Sequence, residues 1–366
     1  MTHVLIAPQE FKGSLSAAEA AGAIAAGLRR AQPDWTFDLL PMSDGGPGFI
    51  DANAAASPAA EALACPAHDA LGRPLAARYL LLPNPLTAVV EAAQANGLVL
   101  IAEEERDVLA ATSRGAGEVI AAAIEHNPAR LVIGVGGSAT NDGGAGMAQA
   151  LGARLTDEAG RELPPGASGL ERLARVDWRL PEAYRGVEVV VATDVTNPLL
   201  GAEGASAIYG PQKGATPAQV DRLEAALTRY AAVLRRSLGV DVAAIPGGGA
   251  AGGLAAGLVA FLGARIESGF DVVARVSGLA ARLVAADIVV TGEGSFDGQS
   301  MQGKTTGRLL ELAGAAGKPC AVLAGRGGPV TGVDLRTLGE LERDGRAAMV
   351  NAAWLLEELA FRRFAP

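Results

Sequence analysis

The sequence predicts an α/β protein with two domains, and three observations carry that prediction. The chain has 366 residues, a length that suits two domains of ordinary size better than one small domain. Short β-branched runs recur along it, each followed by a glycine-rich or polar turn and then by an alanine- and leucine-rich segment, as in parallel strands joined by helices. Several of these runs are apolar throughout, which is typical of strands covered on both faces.

The pattern places six strands and five helices along the chain. The predicted strands are 4–7, 37–40, 131–135, 187–192, 288–291 and 320–323. The predicted helices are 17–31, 115–125, 145–151, 217–238 and 307–315. Ser16 and Glu19 form a capping box at the start of the first helix, because each side chain can satisfy a backbone N–H of the other residue. No clear strand follows Val330.

Residues 63–96 differ from the rest, since their strand-like pieces are short and are interrupted by Pro83 and Pro85. This predicts an antiparallel meander in a second domain. We expect one discontinuous domain with a parallel sheet over 1–62 and 285–366. A second, smaller mixed α/β domain is expected over 63–284.

Composition excludes several classes of function. The formal net charge is -9 and the pI is about 5.0, so neither a nucleic acid nor a membrane is expected as a partner. Cys65 and Cys320 lie far apart without a CxxC pattern, which indicates reduced thiols. The start of the chain lacks the pattern of a signal peptide, so we expect a cytoplasmic protein. The sequence is compatible with a homo-oligomer.

Several candidate functional residues lie just after predicted parallel strands, which is where open α/β sheets bind ligands. After the first strand, Lys12 and Ser14 lie in a loop that leads to a helix and can bind an anion. After the second strand, Asp44 precedes Gly45 and Gly46, which let a backbone approach a ligand. An ordinary Asp-Gly turn explains this second pattern equally well.

The segment 134–146 follows an apolar strand and is the most informative. Gly137 and its neighbouring glycines expose backbone N–H groups, and Ser138 and Thr140 add hydroxyls. Asn141 and Asp142 offer oxygen ligands for Mg²⁺ or partners for a substrate hydroxyl. Neither a Walker motif nor a GxGxxG fingerprint is present. So many glycines and polar side chains together favour a binding function over a structural loop.

Three further segments carry candidates. Asp194 follows the strand at 187–192 and can accept a proton or bind a metal, although it can also cap the turn at 196–198. Lys213 lies in a glycine-flanked turn at 209–214. The glycine-rich run 247–254 suits either phosphate contact or close helix packing.

Charged residues also follow the strand predicted at 288–291. Glu293 and Asp297 are candidate metal ligands, and Lys304 can reach a phosphate from the start of a helix. The alternative is a solvated loop whose charges are incidental. Three charge-bearing groups beyond the end of one buried strand make that alternative the weaker one.

Taken together, these motifs resemble those of the bacterial type I glycerate kinase family. The family patterns APDSFKGSLSA, ADGGEGT and GGSATNDGGAGMAQALG correspond to residues 7–17, 43–49 and 136–152. The patterns DVTNPL, YGPQKGA, GGGAAGGL and TGEGSxDxQSxxGK correspond to 194–199, 209–215, 247–254 and 291–304. This chain departs from the family at Gln9 and Glu10, where Asp-Ser is usual, at Pro47, where Glu is usual, and at Phe49, where Thr is usual.

The resemblance implies that the first domain is flavodoxin- or Rossmann-like and that the active site lies in a cleft between the two domains. It also implies transfer of the γ-phosphate of ATP to D-glycerate, usually giving 2-phosphoglycerate, with Mg²⁺. In this hypothesis Lys12 and Lys304 offset phosphate charge, Asp194 accepts the hydroxyl proton, and Glu293 or Asp297 binds Mg²⁺. Two rival functions differ in class. An NAD-dependent oxidoreductase of a small hydroxy acid is disfavoured because no GxGxxG follows the first strand. A non-catalytic glycerate- or nucleotide-binding protein is suggested by the departures in the two N-terminal loops.

Overall fold

The computed structural model describes residues 1–298, 300–301 and 304–366, so Gln299, Gln302 and Gly303 of the 291–304 motif lie outside the described residues. The chain forms two compact units. The parallel unit comprises Met1–Asp44, Asp51–Pro58 and Phe270–Pro366, and the mixed unit comprises Gly45–Ile50 and Ala59–Gly269. The domain boundaries and the cleft proposed from the sequence stay predictions.

Thirteen strands and fourteen α-helices occur in the described residues. The strands are β1 (His3–Ile6), β2 (Thr36–Leu39), β3 (Glu61–His68), β4 (Pro74–Leu82), β5 (Thr87–Glu91), β6 (Arg130–Gly134), β7 (Arg154–Thr156), β8 (Arg175–Asp177), β9 (Glu188–Ala192), β10 (Arg265–Glu267), β11 (Ile288–Phe296), β12 (Cys320–Gly327) and β13 (Asp334–Thr337). The helices are α1 (Ala17–Ala31), α2 (Phe49–Ala56), α3 (Ala93–Asn96), α4 (Arg114–Ile124), α5 (Ala145–Ala150), α6 (Ala167–Leu170), α7 (Ala205–Tyr209), α8 (Pro217–Leu238), α9 (Leu254–Leu262), α10 (Gly269–Ser277), α11 (Leu279–Ala285), α12 (Thr305–Ala315), α13 (Gly345–Val350) and α14 (Ala352–Phe364).

The parallel unit contains a five-stranded sheet in the order β13-β12-β11-β1-β2, with every neighbouring pair parallel. Counted within this unit the order is 2-1-3-4-5, which is the flavodoxin-like arrangement. β1 lies between two neighbours, and Val4, Leu5 and Ile6 are fully buried. The chain order reverses between β1 and β11, which is where such sheets bind ligands. The predicted parallel sheet is therefore confirmed.

The first helix begins at the predicted capping box. The Ser16 side chain accepts a hydrogen bond from the Glu19 backbone N–H, and the Glu19 carboxylate accepts one from the Ser16 backbone N–H. Arg29 and Arg30 lie in the last turn, where cations complement the helix dipole. The apolar face of α1 packs against α14, with Ile24 and Leu28 fully buried. The two helices approach so closely at Gly27 that only glycine fits, since a Cβ there would lie 2.1 Å from a carbonyl oxygen of α14.

Three strand predictions in this unit need correction. β12 runs on to Gly327 instead of ending at 323. β11 runs on to Phe296 instead of ending at 291, because its glycines and polar residues continue to pair with β12, as Ser295 does with Arg326. β13 was missed by the sequence analysis. It is a four-residue edge strand with polar residues and no buried position, so it lacks the apolar run that signals a strand.

The mixed unit contains a six-stranded sheet in the order β10-β9-β6-β5-β4-β3. β10, β9, β6 and β5 are parallel, whereas β3, β4 and β5 form the predicted antiparallel meander. This unit is the larger of the two, which corrects the expectation that it would be smaller. The reason is that it also holds the β7-β8 hairpin and the 22-residue helix α8.

The apolar stretch 242–264 contains α9, which has nine residues. Across the described part of the chain, no helix has both the length and the apolar character that a membrane crossing requires. The stretch is a glycine-rich turn that leads into the buried helix α9.

Candidate functional site

A cavity of about 510 Å³ lies in the parallel unit at the carboxyl ends of its strands. It is lined by the loop after β1, the end of β11, the start of α12 and the end of β12. The remaining wall comes from residues after β13 and from α13 and α14. This position is the one expected for a ligand site in a sheet of this order.

Five residues predicted from the sequence line this cavity: Lys12, Ser14, Asp44, Glu293 and Lys304. They come from three separate motifs, at 7–17, 43–49 and 291–304, so tertiary structure brings them together. Lys12 and Lys304 are exposed residues, whereas Asp44 is half-buried. Cations and carboxylates therefore share one cavity, as phosphoryl-transfer sites require.

Glu293 is the most buried acid of the cavity, at 8% exposure. Burial raises the pKa of its carboxyl, the hydroxyls of Ser300 and Thr306 and the charge of Lys304 lower it, and the charge of Asp297 raises it. Its Oε1 atom has no hydrogen-bond partner among the described residues. Asp297 is exposed just beyond β11 and outside the cavity lining, but it is near enough to repel Glu293. A cation would relieve that repulsion.

Ser14 has a local structural contact. Its hydroxyl donates to the carbonyl oxygen of Phe11 at 2.9 Å, within a turn that also contains Gly13 at φ +78°. The Ser14 side chain thus shapes the loop that presents Lys12. Whether it also contacts a ligand stays a prediction.

Arg326 lines the same cavity and was not identified from the sequence. Its Nε atom donates to Ser295 Oγ at 3.3 Å, across the β11-β12 pair. The missing signal was the length of β12: once that strand is extended to Gly327, Arg326 falls at the carboxyl end of a parallel strand, beside the other candidates.

In the mixed unit, the carboxyl ends of β5, β6 and β9 are covered by the segment Gly45–Ile50. The Gly136 N–H donates to the carbonyl oxygen of Gly45 at 2.9 Å, and the Ile50 N–H donates to the Glu91 carboxylate at 3.1 Å. A Cβ at Gly45 would lie 2.2 Å from the carbonyl oxygen of Ala192. The predicted pair Gly45 and Gly46 therefore serves close backbone packing, and a ligand-contacting role for either stays a prediction.

Two residues that depart from the family pattern lie in this segment. Phe49 is fully buried, and a Cβ on Gly134 would lie 2.7 Å from its ring. Pro47 lies over Gly137, whose φ of +74° and missing Cβ make room for the proline ring. Both substitutions are thus accommodated by packing against glycines of the 134–146 segment.

The 134–146 segment is buried and internally hydrogen-bonded. The Asp142 carboxylate accepts bonds from the N–H and hydroxyl of Ser113 and from the N–H groups of Gly144 and Gly146, at 2.8–3.1 Å. Burial raises the pKa of Asp142, and these hydrogen bonds lower it in part. Its oxygens are occupied by protein donors at the starts of α4 and α5. That arrangement favours a structural role over direct ligand contact.

Lys213 is equally enclosed, at 3% exposure. Its ammonium nitrogen donates to the carbonyl oxygen of Thr140 at 2.6 Å and to Ser138 Oγ at 3.3 Å. Burial lowers the pKa of Lys213 to about 7, against an opposing contribution from the Asp142 charge. Lys213 therefore supports the 138–142 backbone from within the unit.

The amide and hydroxyl side chains of this segment also have protein partners. Asn141 donates to Ser206 Oγ at 3.1 Å, and Thr140 Oγ1 accepts from Asn96 at 3.3 Å. Ser138 is 5% exposed, while Thr140 and Asn141 are fully buried. Asn96, Ser113 and Ser206 were not identified from the sequence, because nothing in their local pattern marks them as partners of a distant loop.

The glycine-rich run 247–254 packs against the same segment. The Gly143 N–H donates to the carbonyl oxygen of Gly252 at 3.0 Å, and a Cβ on Gly252 would lie 2.0 Å from the carbonyl oxygen of Thr140. Of the two readings left open by the sequence, close packing is the one that these contacts support.

Asp194 differs from its neighbours in being half-exposed. It follows β9, and its Oδ1 accepts a hydrogen bond from Ser268 Oγ at 2.6 Å, just after β10. The neighbouring Asn197 is oriented by Tyr209, whose hydroxyl donates to Asn197 Oδ1 at 2.6 Å. Asp194 is therefore a half-exposed residue whose Oδ1 is fixed by Ser268 and whose Oδ2 is buried.

Comparison with known proteins places this geometry in a family. The model of the glycerate kinase family matches residues 4–352. The chain belongs to the glycerate kinase family. It is 44% identical over 323 residues to the glycerate 2-kinase of Escherichia coli, covering 88% of this chain and 84% of that protein. It is 41% identical over 326 residues to a glycerate kinase of Halalkalibacterium halodurans, covering 89% and 86%.

The fold comparison agrees with this family assignment. A crystal structure from Salmonella typhimurium LT2, assigned as a glycerate kinase 2, matches with a TM-score of 0.83 and 41% identity. The match covers 99% of this chain and 97% of that one. The α/β architecture predicted from the sequence is thus that of the glycerate kinase family.

Proposed function

We propose that this protein phosphorylates D-glycerate, with ATP as the phosphoryl donor and 2-phosphoglycerate as the product. Family membership and the names of the relatives support glycerate as the acceptor. The observation that carries the chemistry is the cavity of the parallel unit, where Lys12, Lys304 and Glu293 meet at the switch point of the sheet. In phosphoryl transfer the protein mainly positions reactants and stabilises charge, and these side chains are suited to both tasks.

The lysines offset negative charge on the transferred group. Lys12 is presented by the loop after β1, and Lys304 is the N-cap residue of the 11-residue helix α12. The helix dipole adds to the positive potential at that end, since the first N–H groups of a helix lack intrahelical partners. Both cations then favour a phosphate over a neutral group.

Mg²⁺ fits the acidic side of this region. Glu293 and Asp297 repel one another, and Glu293 Oε1 lacks a described partner. Within the described residues no group of three or more acids, histidines or cysteines is arranged around one point. Two carboxylates with phosphate oxygens are a usual Mg²⁺ ligand set. Bound there, Mg²⁺ would supply charge neutralisation on the phosphate oxygens.

Asp194 is proposed as the residue that accepts the proton of the glycerate hydroxyl. The hydrogen bond from Ser268 fixes one carboxylate oxygen. A general base must be able to reach the hydroxyl whose proton it accepts, and Asp194 is half-exposed whereas Asp142 is fully buried. The buried Asp142 cannot take this part without losing its bonds to Ser113, Gly144 and Gly146.

The proposal is tested by incubating the purified protein with ATP, Mg²⁺ and D-glycerate and following ADP release. The product is then identified by ³¹P NMR, which separates 2-phosphoglycerate from 3-phosphoglycerate. We expect ADP release that depends on both glycerate and Mg²⁺, with L-glycerate as the matched control. Binding of glycerate without ADP release would instead support a non-catalytic binding protein. Transfer to the 3-hydroxyl would overturn the proposed product.

A further inference from the structure

The lining of the cavity in the parallel unit contains two chemically different sets of residues. The polar set includes three cationic side chains, Lys12, Lys304 and Arg326, which come from three separate segments of the chain. It also includes the carboxylates of Glu10, Asp44 and Glu293. Because cations and acids are equal in number, the polar set does not favour a simple anion. It suits a ligand that brings several negative groups together with a divalent cation.

The other set is apolar. It consists of Leu338 after β13, Ala348 and Met349 of α13, and Ala352 at the start of α14. None of these side chains carries a charge or a hydrogen-bonding group. Met349 is 49% exposed, so it presents its flexible thioether to solvent and can pack on a flat ring.

Glycerate does not account for this division. Each of its three carbons bears oxygen, so it has no apolar part to place against Leu338 and Met349. It also fills only a small part of about 510 Å³, a volume in the range of pockets for much larger ligands. A nucleotide has both kinds of part, a flat base and a chain of phosphates.

We propose that this cavity is the nucleotide site, with the base against Met349 and Leu338 and the phosphates at Arg326, Lys12 and Lys304. Arg326 is a further phosphate-binding residue, held in place by its bond to Ser295 and able to donate two parallel hydrogen bonds. The identity of the phosphate donor rests on the proposed kinase function. The location of the site does not depend on turnover.

Binding of ATP, inorganic tripolyphosphate and adenosine, each with Mg²⁺, is measured by titration calorimetry, alongside binding of D-glycerate. Two variants test the two sets of lining residues separately: Arg326→Gln in the polar set and Met349→Ala in the apolar set. Both residues are exposed, so neither substitution should prevent folding. Arg343→Gln is the matched control, because Arg343 is an exposed arginine of the same unit that does not line the cavity.

We expect Arg326→Gln to weaken ATP and tripolyphosphate binding about tenfold or more and to leave adenosine unchanged. Met349→Ala should weaken ATP and adenosine severalfold and leave tripolyphosphate unchanged. Glycerate binding should not change in either variant. The proposal is overturned if glycerate binding weakens as much as ATP binding does, or if ATP binding stays at the wild-type value in both variants. ATP binding that follows this pattern in a protein without glycerate turnover would refute the kinase function and leave the site assignment standing.

Discussion

The two units place polar residues at the same kind of position, the carboxyl ends of parallel strands, yet they use them differently. In the parallel unit, Lys12, Lys304 and Arg326 reach an open cavity. In the mixed unit, Asp142 and Lys213 are buried and bonded to other protein groups. Position in the fold therefore identifies a candidate region, whereas burial separates the residues that can meet a ligand from those that support the backbone.

The physical cause of the difference is the covering of the strand ends. Segment Gly45–Ile50 and the run 247–254 pack onto the 134–146 segment through glycines, at distances that exclude even a methyl group. Most polar groups beneath them bond to one another, since an unpaired buried polar group costs about 1–3 kcal/mol. The Oδ1 atoms of Asn96 and Asn141 are exceptions, with no partner among the described residues. Asp194 lies in the same unit but remains half-exposed, which is why it is the proposed base.

The largest expected effect is on the rate of the Asp194→Asn variant. Loss of a general base should lower kcat about 10²–10⁴-fold and change KM for glycerate little. The free energy of unfolding should stay near the wild-type value, because Asn can still accept the bond from Ser268. Steady-state kinetics with Asp177→Asn, an exposed aspartate of β8, as control would show this. A variant with near-normal kcat would remove Asp194 from the mechanism.

Gly252→Ala should break the packing of the mixed unit. A Cβ there would lie 2.0 Å from the carbonyl oxygen of Thr140, and the backbone has φ of +66°. Strained backbone and overpacking together should lower the free energy of unfolding by about 3 kcal/mol or more. Gly298→Ala in the parallel unit is the control, since nothing lies within 4 Å of its Cβ position. Equal urea midpoints for the two variants would contradict the contrast between the units.

Asp142→Asn should lower the free energy of unfolding, while the folded variant should keep a kcat close to that of the wild type. The new amide nitrogen would face N–H donors of Ser113, Gly144 or Gly146 in place of an accepting oxygen. We expect a loss of about 2 kcal/mol in the free energy of unfolding, measured by urea denaturation. Together with Asp194→Asn this makes a matched pair in one unit. A stable but inactive Asp142→Asn variant would mean that Asp142 contacts the substrate after all.

Lys213→Met should change how stability depends on pH. Burial lowers the pKa of folded Lys213 to about 7, against 10.5 for the ordinary side chain. Between these values the unfolded chain holds a proton that the folded chain lacks, so this residue makes stability rise with pH. The wild type should gain about 2 kcal/mol more than the variant between pH 7 and pH 9, by urea unfolding at each pH. Parallel pH curves would show that Lys213 keeps its proton when folded.

Local sequence signals predicted much of the fold. The bounds of α1 and α8 agree with the prediction, because each helix starts at a capping box and carries a continuous apolar face. The ends of β11 and β12 and the whole of β13 were not predicted. The residues that pair at these positions are glycine, polar or charged. Such residues have little intrinsic preference for a strand and join the sheet because a neighbouring strand is already present.

The sequence by itself determined the family, the α/β class and the loops in which chemistry is to be sought, because glycine and polar residues after apolar strands are local patterns. Only the tertiary structure decided which of those residues face a cavity. It brought Arg326 and Met349 into the site although no motif marks them. It also enclosed Asp142 and Lys213, which the motif had suggested as ligand-binding residues. Burial depends on chain segments far apart in sequence, and a local pattern does not encode it.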